Sequence, residues 1–163
     1  MISFRKAMPD DSSILAKLWK DFMHEQNNAL LKLNHNVGIH SSIKYSAYLT
    51  SKAHFNSLLK DKNSFIQVAE HNGNIVAYSV SQIRKTVPIF NIARVGHFSD
   101  LYVTPKYRGR RITSKFKEEA IKWFKKRKIK EMSISVFVGN EPAHSIYKKW
   151  GFFDYHTELR RKL

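Results

Sequence analysis

Ser99-Asp100-Leu101-Tyr102-Val103-Thr104-Pro105-Lys106-Tyr107-Arg108-Gly109-Arg110-Arg111-Ile112-Thr113-Ser114 is the stretch whose reading decides the fold. It begins inside a β run, His97–Val103, that stops at Pro105, which lacks a ladder donor and holds Thr104 extended. After a basic turn, Ile112, Phe116, Ala120, Trp123 and Phe124 recur at helical spacing and predict a helix over 114–127. A turn that enters a helix presents unpaired backbone N–H groups at the positive end of the helix dipole. That is an anion site before any side chain is counted. Arg108, Arg110 and Arg111 add charge-assisted donors suited to phosphate oxygens. Neither Gly-x-x-x-x-Gly-Lys-Ser/Thr nor Gly-x-Gly-x-x-Gly is present, so a pyrophosphate site of another kind fits best.

Working outward, Met132–Val138 alternates as a strand, Asn140–Trp150 reads as a helix that Gly151 terminates, and Phe152–Glu158 reads as a last strand. Upstream, Phe65–Glu70 and Ile75–Ile83 flank His71-Asn72-Gly73-Asn74, and Asn-Gly between β runs is a hairpin signal. Ile2–Lys6 is a short strand, and Pro9 opens a helix with Ile14, Leu15, Leu18, Trp19, Phe22 and Met23 on one face. From Asn27 to Ser42 the period is lost and a loop is expected, followed by a weaker helix from Ile43 to Lys60. The order β-α-α-β-β-β-α-β-α-β predicts a single α/β (α+β) domain over residues 1–163, with a mixed sheet and helices on its faces.

The chain has 163 residues, with 29 Lys and Arg against 13 Asp and Glu, a net charge of +16. Twelve Lys or Arg and only two Glu fall between Thr104 and Lys130, which concentrates the charge where a polyanion would sit. The absence of cysteine excludes disulfides, thiolate metal sites and an acyl-cysteine intermediate. No helical metal-ligand spacing joins the eight histidines, so no metal is expected. No apolar run is long enough to span a membrane and the N-terminus lacks the apolar core of a signal peptide, so a cytoplasmic protein is expected.

Leu101-Tyr102-Val103-Thr104-Pro105 followed by Tyr107-Arg108-Gly109 resembles the phosphate loop of the GNAT superfamily of acyl-CoA-dependent N-acyltransferases, Gln/Arg-x-x-Gly-x-Gly/Ala. Arg108 takes the first position; Arg111 and Thr113 stand where the family carries small residues. Asn140, Ala143, Tyr147, Gly151 and Phe152 are similar to that family's Asn-x-x-Ala-x-x-x-Tyr-x-x-x-Gly-Phe, and the resemblance spans Ile2 to Glu158. It implies a mostly antiparallel sheet of about six to seven strands with a splayed central pair, and an N-acetyltransferase that moves acetyl from acetyl-CoA directly to a primary amine. It further implies that Leu101, Tyr102 and Val103 hold the pantetheine arm through backbone groups. Arg108, Gly109, Arg110, Arg111, Ile112, Thr113 and Ser114 would hold the phosphates, with Asn140 and Ala143 beside them.

In the resemblance Tyr147 is the acid that protonates the departing thiolate; on spacing alone a core aromatic is the favoured reading, and the motif reverses that preference. Asp100, on the strand beside the thioester, is the candidate base, with substrate binding or plain exposure as its other readings and Glu70 and His97 as weaker alternatives. The acceptor site is expected near Phe22–Ile43, where His24, Glu25, His35 and His40 lie. Two other readings stay open: a fold that binds CoA without catalysis, and a basic nucleic-acid-binding module on Lys115–Lys130. For an N-acetyltransferase, only weak nonspecific nucleic-acid contact is expected. Many relatives are dimers, so a homodimer is a further candidate state.

Overall fold

Asn72 and Gly73 take φ of 50° and 75°, the two successive left-handed residues that a tight hairpin turn requires. The turn joins β2 (Ser64–His71) to β3 (Asn74–Lys85) in the computed structural model, which describes residues 1–33, 36 and 41–161. β1 (Ile2–Lys6) lies antiparallel to β2, and β4 (Arg94–Val103) lies antiparallel to β3. β5 (Met132–Ile134) closes the sheet in parallel with β4, giving the order β1-β2-β3-β4-β5.

Helices α1 (Ser12–Leu33) and α2 (Ala47–Lys60) cover one face. Leu15, Leu18, Phe55 and Leu58 pack there on Ile66, Val68, Tyr78, Val80 and Tyr102. The other face carries α3 (Ile112–Lys126), whose Ile112, Phe116, Ala120 and Phe124 meet Ala69, Ala77, Phe98 and Val103. The stripe of apolar residues seen in the sequence is therefore the buried face of α3. Phe124 presses so closely on β4 that a Cβ at Gly96 would stand 2.7 Å from its ring. Arg5 ties β1 to the entry of α1 and to β2 through Asp11 and Glu70, each at 2.7 Å.

Four expectations are corrected. The α1 helix continues through Asn27 and Asn28 to Leu33, because Leu30 is buried against the fold and that burial outweighs the weak helix propensity of Asn. The sheet has five strands among the described residues rather than six or seven. Phe152–Glu158 forms no strand: the Phe152 amide instead closes the end of α4 (Glu141–Lys149) on the Tyr147 carbonyl at 3.1 Å, and Phe153 and Tyr155 are exposed. The strand expected over Met132–Val138 is cut to three residues for a reason that matters below. β5 pairs with Gly96, His97 and Phe98 only, and from Ser99 onward β4 and the β5 chain part.

Candidate active site

The parting of β4 from β5 coincides with a β-bulge. Val80 faces Asp100 and the next residue, Ser81, faces Phe98, so Ser99 is the extra residue of β4. A cleft of about 120 Å³ opens on the β5 side, walled by Phe98, Ser99 and Leu101 of β4, by Ile134 to Phe137, and by Asn140, Ala143 and Tyr147. On the α1–α2 side of the same strand lies a larger cavity of about 660 Å³ with Ser99 and Asp100 in its lining. Ser99 lines both spaces.

The Asn140 side chain caps α4 by accepting the Ala143 amide at 3.3 Å, which aims the helix at the cleft. Two turns along that helix Tyr147 lines the cleft, half-buried against Trp150 and Phe152 at ring distances of 5.6 and 6.3 Å. Burial alone raises the pKa of its hydroxyl, with no hydrogen bond or charge contributing. The phenol is therefore a neutral donor at the cleft wall. The helix and the strand thus bring Tyr147, Asn140, Ala143 and Leu101 together as the sequence motifs imply.

At the end of β4, Pro105–Tyr107 form one 3₁₀ turn, and Gly109 and Arg111 take φ of 77° and 60° before α3 begins. Positive φ is cheap for Gly109 and costs Arg111 about 1–2 kcal/mol, so a non-glycine residue keeps a backbone path that glycine adopts freely. No side chain caps the helix, and its first-turn amides have no partner within the helix. Ile112 turns its side chain into the core, Thr113 and Ser114 are half-buried, and Arg110 and Arg111 are exposed. Arg110 lies over the Tyr107 ring at 5.3 Å.

Arg108 has partners of its own. Its Nε donates to the Val103 carbonyl at 2.9 Å and its Nη2 to Glu25 of α1 at 2.5 Å. Tyr102 donates its hydroxyl to the other Glu25 oxygen at 2.6 Å, so Glu25 clasps the end of β4 and the basic turn together. Burial, and after it the Glu25 hydrogen bond, push the Tyr102 pKa up. Sequence reasoning placed Glu25 near the acceptor; the structure places it on the turn instead.

Asp100 is half-buried by surface area but deeply surrounded, and loss of water raises its pKa from 3.8 to about 6, against the pull of Arg84. Among the described residues no hydrogen bond stabilises the carboxylate. The weaker base candidates lie elsewhere. Glu70 is held by Arg5, and His97 contacts the Ser133 hydroxyl at 2.9 Å across β4 and β5, its pKa lowered by burial to about 4. His24 is exposed and lines neither space, while His35 and His40 lie outside the described residues. Arg84 and Gln82, which the sequence did not single out, reach the site from β3: Ser99 donates to Gln82 at 2.7 Å and receives Arg84 Nη2 at 3.2 Å. Their signal is only that they share a strand face with Val80, opposite Asp100.

The basic α3 surface offers no stacking platform. Phe116 and Phe124 are buried, and Trp123 is stacked on Phe65 at 5.4 Å and covered by Arg127. Among the described residues no three His, Asp or Glu gather as metal ligands, and no helix is long and apolar enough to cross a membrane.

Comparison with known proteins adds to this geometry. The sequence model of the Acetyltransferase (GNAT) family matches residues 19–152. A Bacillus subtilis (strain 168) protein named as a ribosomal protein bS18-alanine N-acetyltransferase is 25% identical over 127 residues, covering 77% of this chain and 78% of its own. Among solved structures, a Clostridium acetobutylicum protein assigned as an acetyltransferase and crystallised with acetyl-CoA superposes with a TM-score of 0.79. It is 21% identical and the match covers 99% of this chain and 96% of that one. The aminoglycoside 6'-N-acetyltransferase AAC(6')-Ih of Acinetobacter baumannii has a TM-score of 0.70 at 13% identity, covering 100% and 98%.

Proposed function

The chain belongs to the acetyltransferase (GNAT) family, an acetyl-CoA-dependent N-acetyltransferase, and on that premise we propose that it acetylates a primary amine directly, in a ternary complex. The observation that carries this reading is that Ser99 lines two spaces at once: a cleft with a phenol in its wall, and a cavity with a carboxylate in its lining. Acetyl-CoA supplies an activated acyl group as a thioester.

The residues fit such a cosubstrate. Left-handed Gly109 and Arg111 shape a turn whose amides, with α3 behind them, favour phosphate oxygens. Arg110 and Arg111 are exposed beside it and form no ion pair among the described residues. The edge of β4 past Phe98 lacks a strand partner on the β5 side, which suits an extended amide-bearing arm. Leu101 and Tyr147 face that same gap.

Asp100 takes the proton of the incoming ammonium. Its pKa near 6 leaves it ionised at neutral pH yet basic enough to hold a proton, the compromise general-base catalysis favours. The amine nitrogen forms the new C–N bond to the acetyl carbon, the C–S bond breaks, Tyr147 donates its proton to the departing sulfur, and the second proton shed by the nitrogen returns to the Tyr147 oxygen. No cysteine exists to carry the acetyl group, so transfer runs from one substrate to the other without an acyl-cysteine.

The test is a titration with acetyl-CoA followed by a panel of amines, with CoA release and product mass as readouts. Saturable acetyl-CoA binding and an acetylated amine are expected. No thermal shift at millimolar acetyl-CoA overturns the reading, since a ligand at about 100 times its Kd stabilises by roughly 2.7 kcal/mol.

A further inference from the structure

We propose that the acceptor is an amino-acid-like amine, carrying an anionic group near its nitrogen and an apolar body. The inference rests on the acetyl-transfer reading above and narrows its substrate. The cavity on the α1–α2 side, about 660 Å³, is within the roughly 300–1,000 Å³ typical of small-molecule sites. Trp19, Phe55 and Val80 give it an apolar wall.

Its charges are lopsided. Asp100 is the single carboxylate among the described lining residues, whereas Lys44, His54 and Arg84 also line it. One carboxylate suits one ammonium. A second cationic group on the same acceptor would meet Lys44 and Arg84, neither of which forms an ion pair among the described residues. An anion meets the opposite situation.

Arg84 is placed to receive it. Both of its side-chain hydrogen bonds run through Nη2, to Gln82 Oε1 at 3.3 Å and to Ser99 Oγ at 3.2 Å, and they hold the guanidinium beside the bulge. Nε and Nη1 remain without an acceptor among the described residues. Guanidinium N–H groups bind carboxylate and phosphonate oxygens in the same way, so the shared chemistry is a compact oxyanion adjoining the amine. Seated with its nitrogen at Asp100 and its oxyanion at Arg84, such an amine turns its third substituent onto the apolar wall.

The experiment uses the full chain saturated with acetyl-CoA. L-Phenylalanine, L-phenylalaninamide, phenethylamine, the aminophosphonic analogue of phenylalanine and spermine are compared by kcat/KM, and their binding to the CoA-loaded protein is followed by calorimetry. The acid, or its phosphonic analogue, is expected to exceed the amide and phenethylamine at least tenfold, mainly through KM, with spermine lowest. Whichever of the two acids is preferred identifies the oxyanion. Arg84→Gln should lower the preferred acid at least tenfold more than it lowers the amide, and Arg84→Lys should restore part of that selectivity. An amide or spermine equal to the acids overturns the inference. So does an Arg84→Gln loss shared equally by acid and amide, which would make Arg84 a prop for Ser99 and Gln82. Calorimetry separates the two readings: acid-selective binding without CoA release supports the charge assignment and sinks acetyl transfer, while transfer without acid selectivity does the reverse.

Discussion

The two sides of β4 are built by different means. On the β5 side, the cleft and the basic turn depend on backbone: a strand edge left unpaired after Phe98, left-handed residues at 109 and 111, and the start of α3. On the α1–α2 side, the cavity depends on side chains brought from α1, α2, β3 and β4, with a half-buried carboxylate among cations. A site made of backbone tolerates many sequences and binds a constant ligand. A site made of side chains is chemically particular, which is why the proposed choice of amine is placed on this side.

Substituting Asp100 breaks the comparison on the side-chain face and should have the largest effect. Asp100→Asn is expected to lower kcat/KM by about 10²–10³-fold while leaving acetyl-CoA binding intact, because a general base is lost and the cleft is not touched. In the wild type kcat/KM should rise with pH and level off above about 6, and the variant should lack that limb. The same group bears on stability. With a native pKa near 6 against 3.8 unfolded, the folded state holds a proton that the unfolded chain has lost between those values, so stability falls as pH rises through that window. Asp100→Asn should therefore melt higher than wild type at pH 7, by roughly 1–2 kcal/mol after allowing for partial exposure. His97, lowered from 6.5 to about 4, gives the opposite slope and loses stability as pH falls through its own window. An unchanged acidic limb in Asp100→Asn would move the base elsewhere.

Tyr147 makes the matching test on the cleft side. Tyr147→Phe keeps the ring packed against Trp150 and Phe152 and removes the donor alone. Turnover should fall about tenfold or more, toward the lower end of general-acid effects because a thiolate leaves readily. Acetyl-CoA affinity and melting temperature should stay near wild type. Unchanged kcat with a lower melting temperature would reassign the residue to packing.

Glycine 139 probes how the cleft is held. Gly139 has φ of 82° and a Cβ there would overlap the Leu33 side chain at the end of α1. Gly139→Ala should cost about 1–3 kcal/mol by denaturant unfolding. It should also raise the KM for acetyl-CoA more than that for the amine, since the loop leads into the capped helix that carries Tyr147. The smallest effect is expected at the turn. Arg111→Gly relieves a left-handed non-glycine residue but adds unfolded-state entropy, for a net gain of about 0.5 kcal/mol. Acetyl-CoA affinity should change less than threefold if backbone amides carry the phosphate site; a larger loss would assign the Arg111 side chain a direct part.

Legibility in the sequence follows the same division. The hairpin at Asn72-Gly73, the strand–turn–helix around Arg108 and the capped helix after Asn140 were readable because each is a local matter of turn chemistry, capping and period. Arg108 was legible as a cation but not as a clasp, since its partner Glu25 is 83 residues away along the chain. The extra α1 turns past Asn27 were hidden because burial of Leu30, not propensity, sustains them. Phe152–Glu158 misled because alternation states a strand's preference and not whether a neighbouring strand is there to pair with it.

By itself the sequence determined the order of elements, the basic turn that enters α3 and the helix that carries Tyr147, because hydrogen bonds and dihedral preferences within a few residues suffice for these. Only the tertiary structure decided where β4 and β5 separate, that Ser99 borders both spaces, and that half-buried Asp100 shares a cavity with Arg84. Those facts arise from desolvation and from contacts between segments far apart in the chain, and no local pattern of residues encodes either.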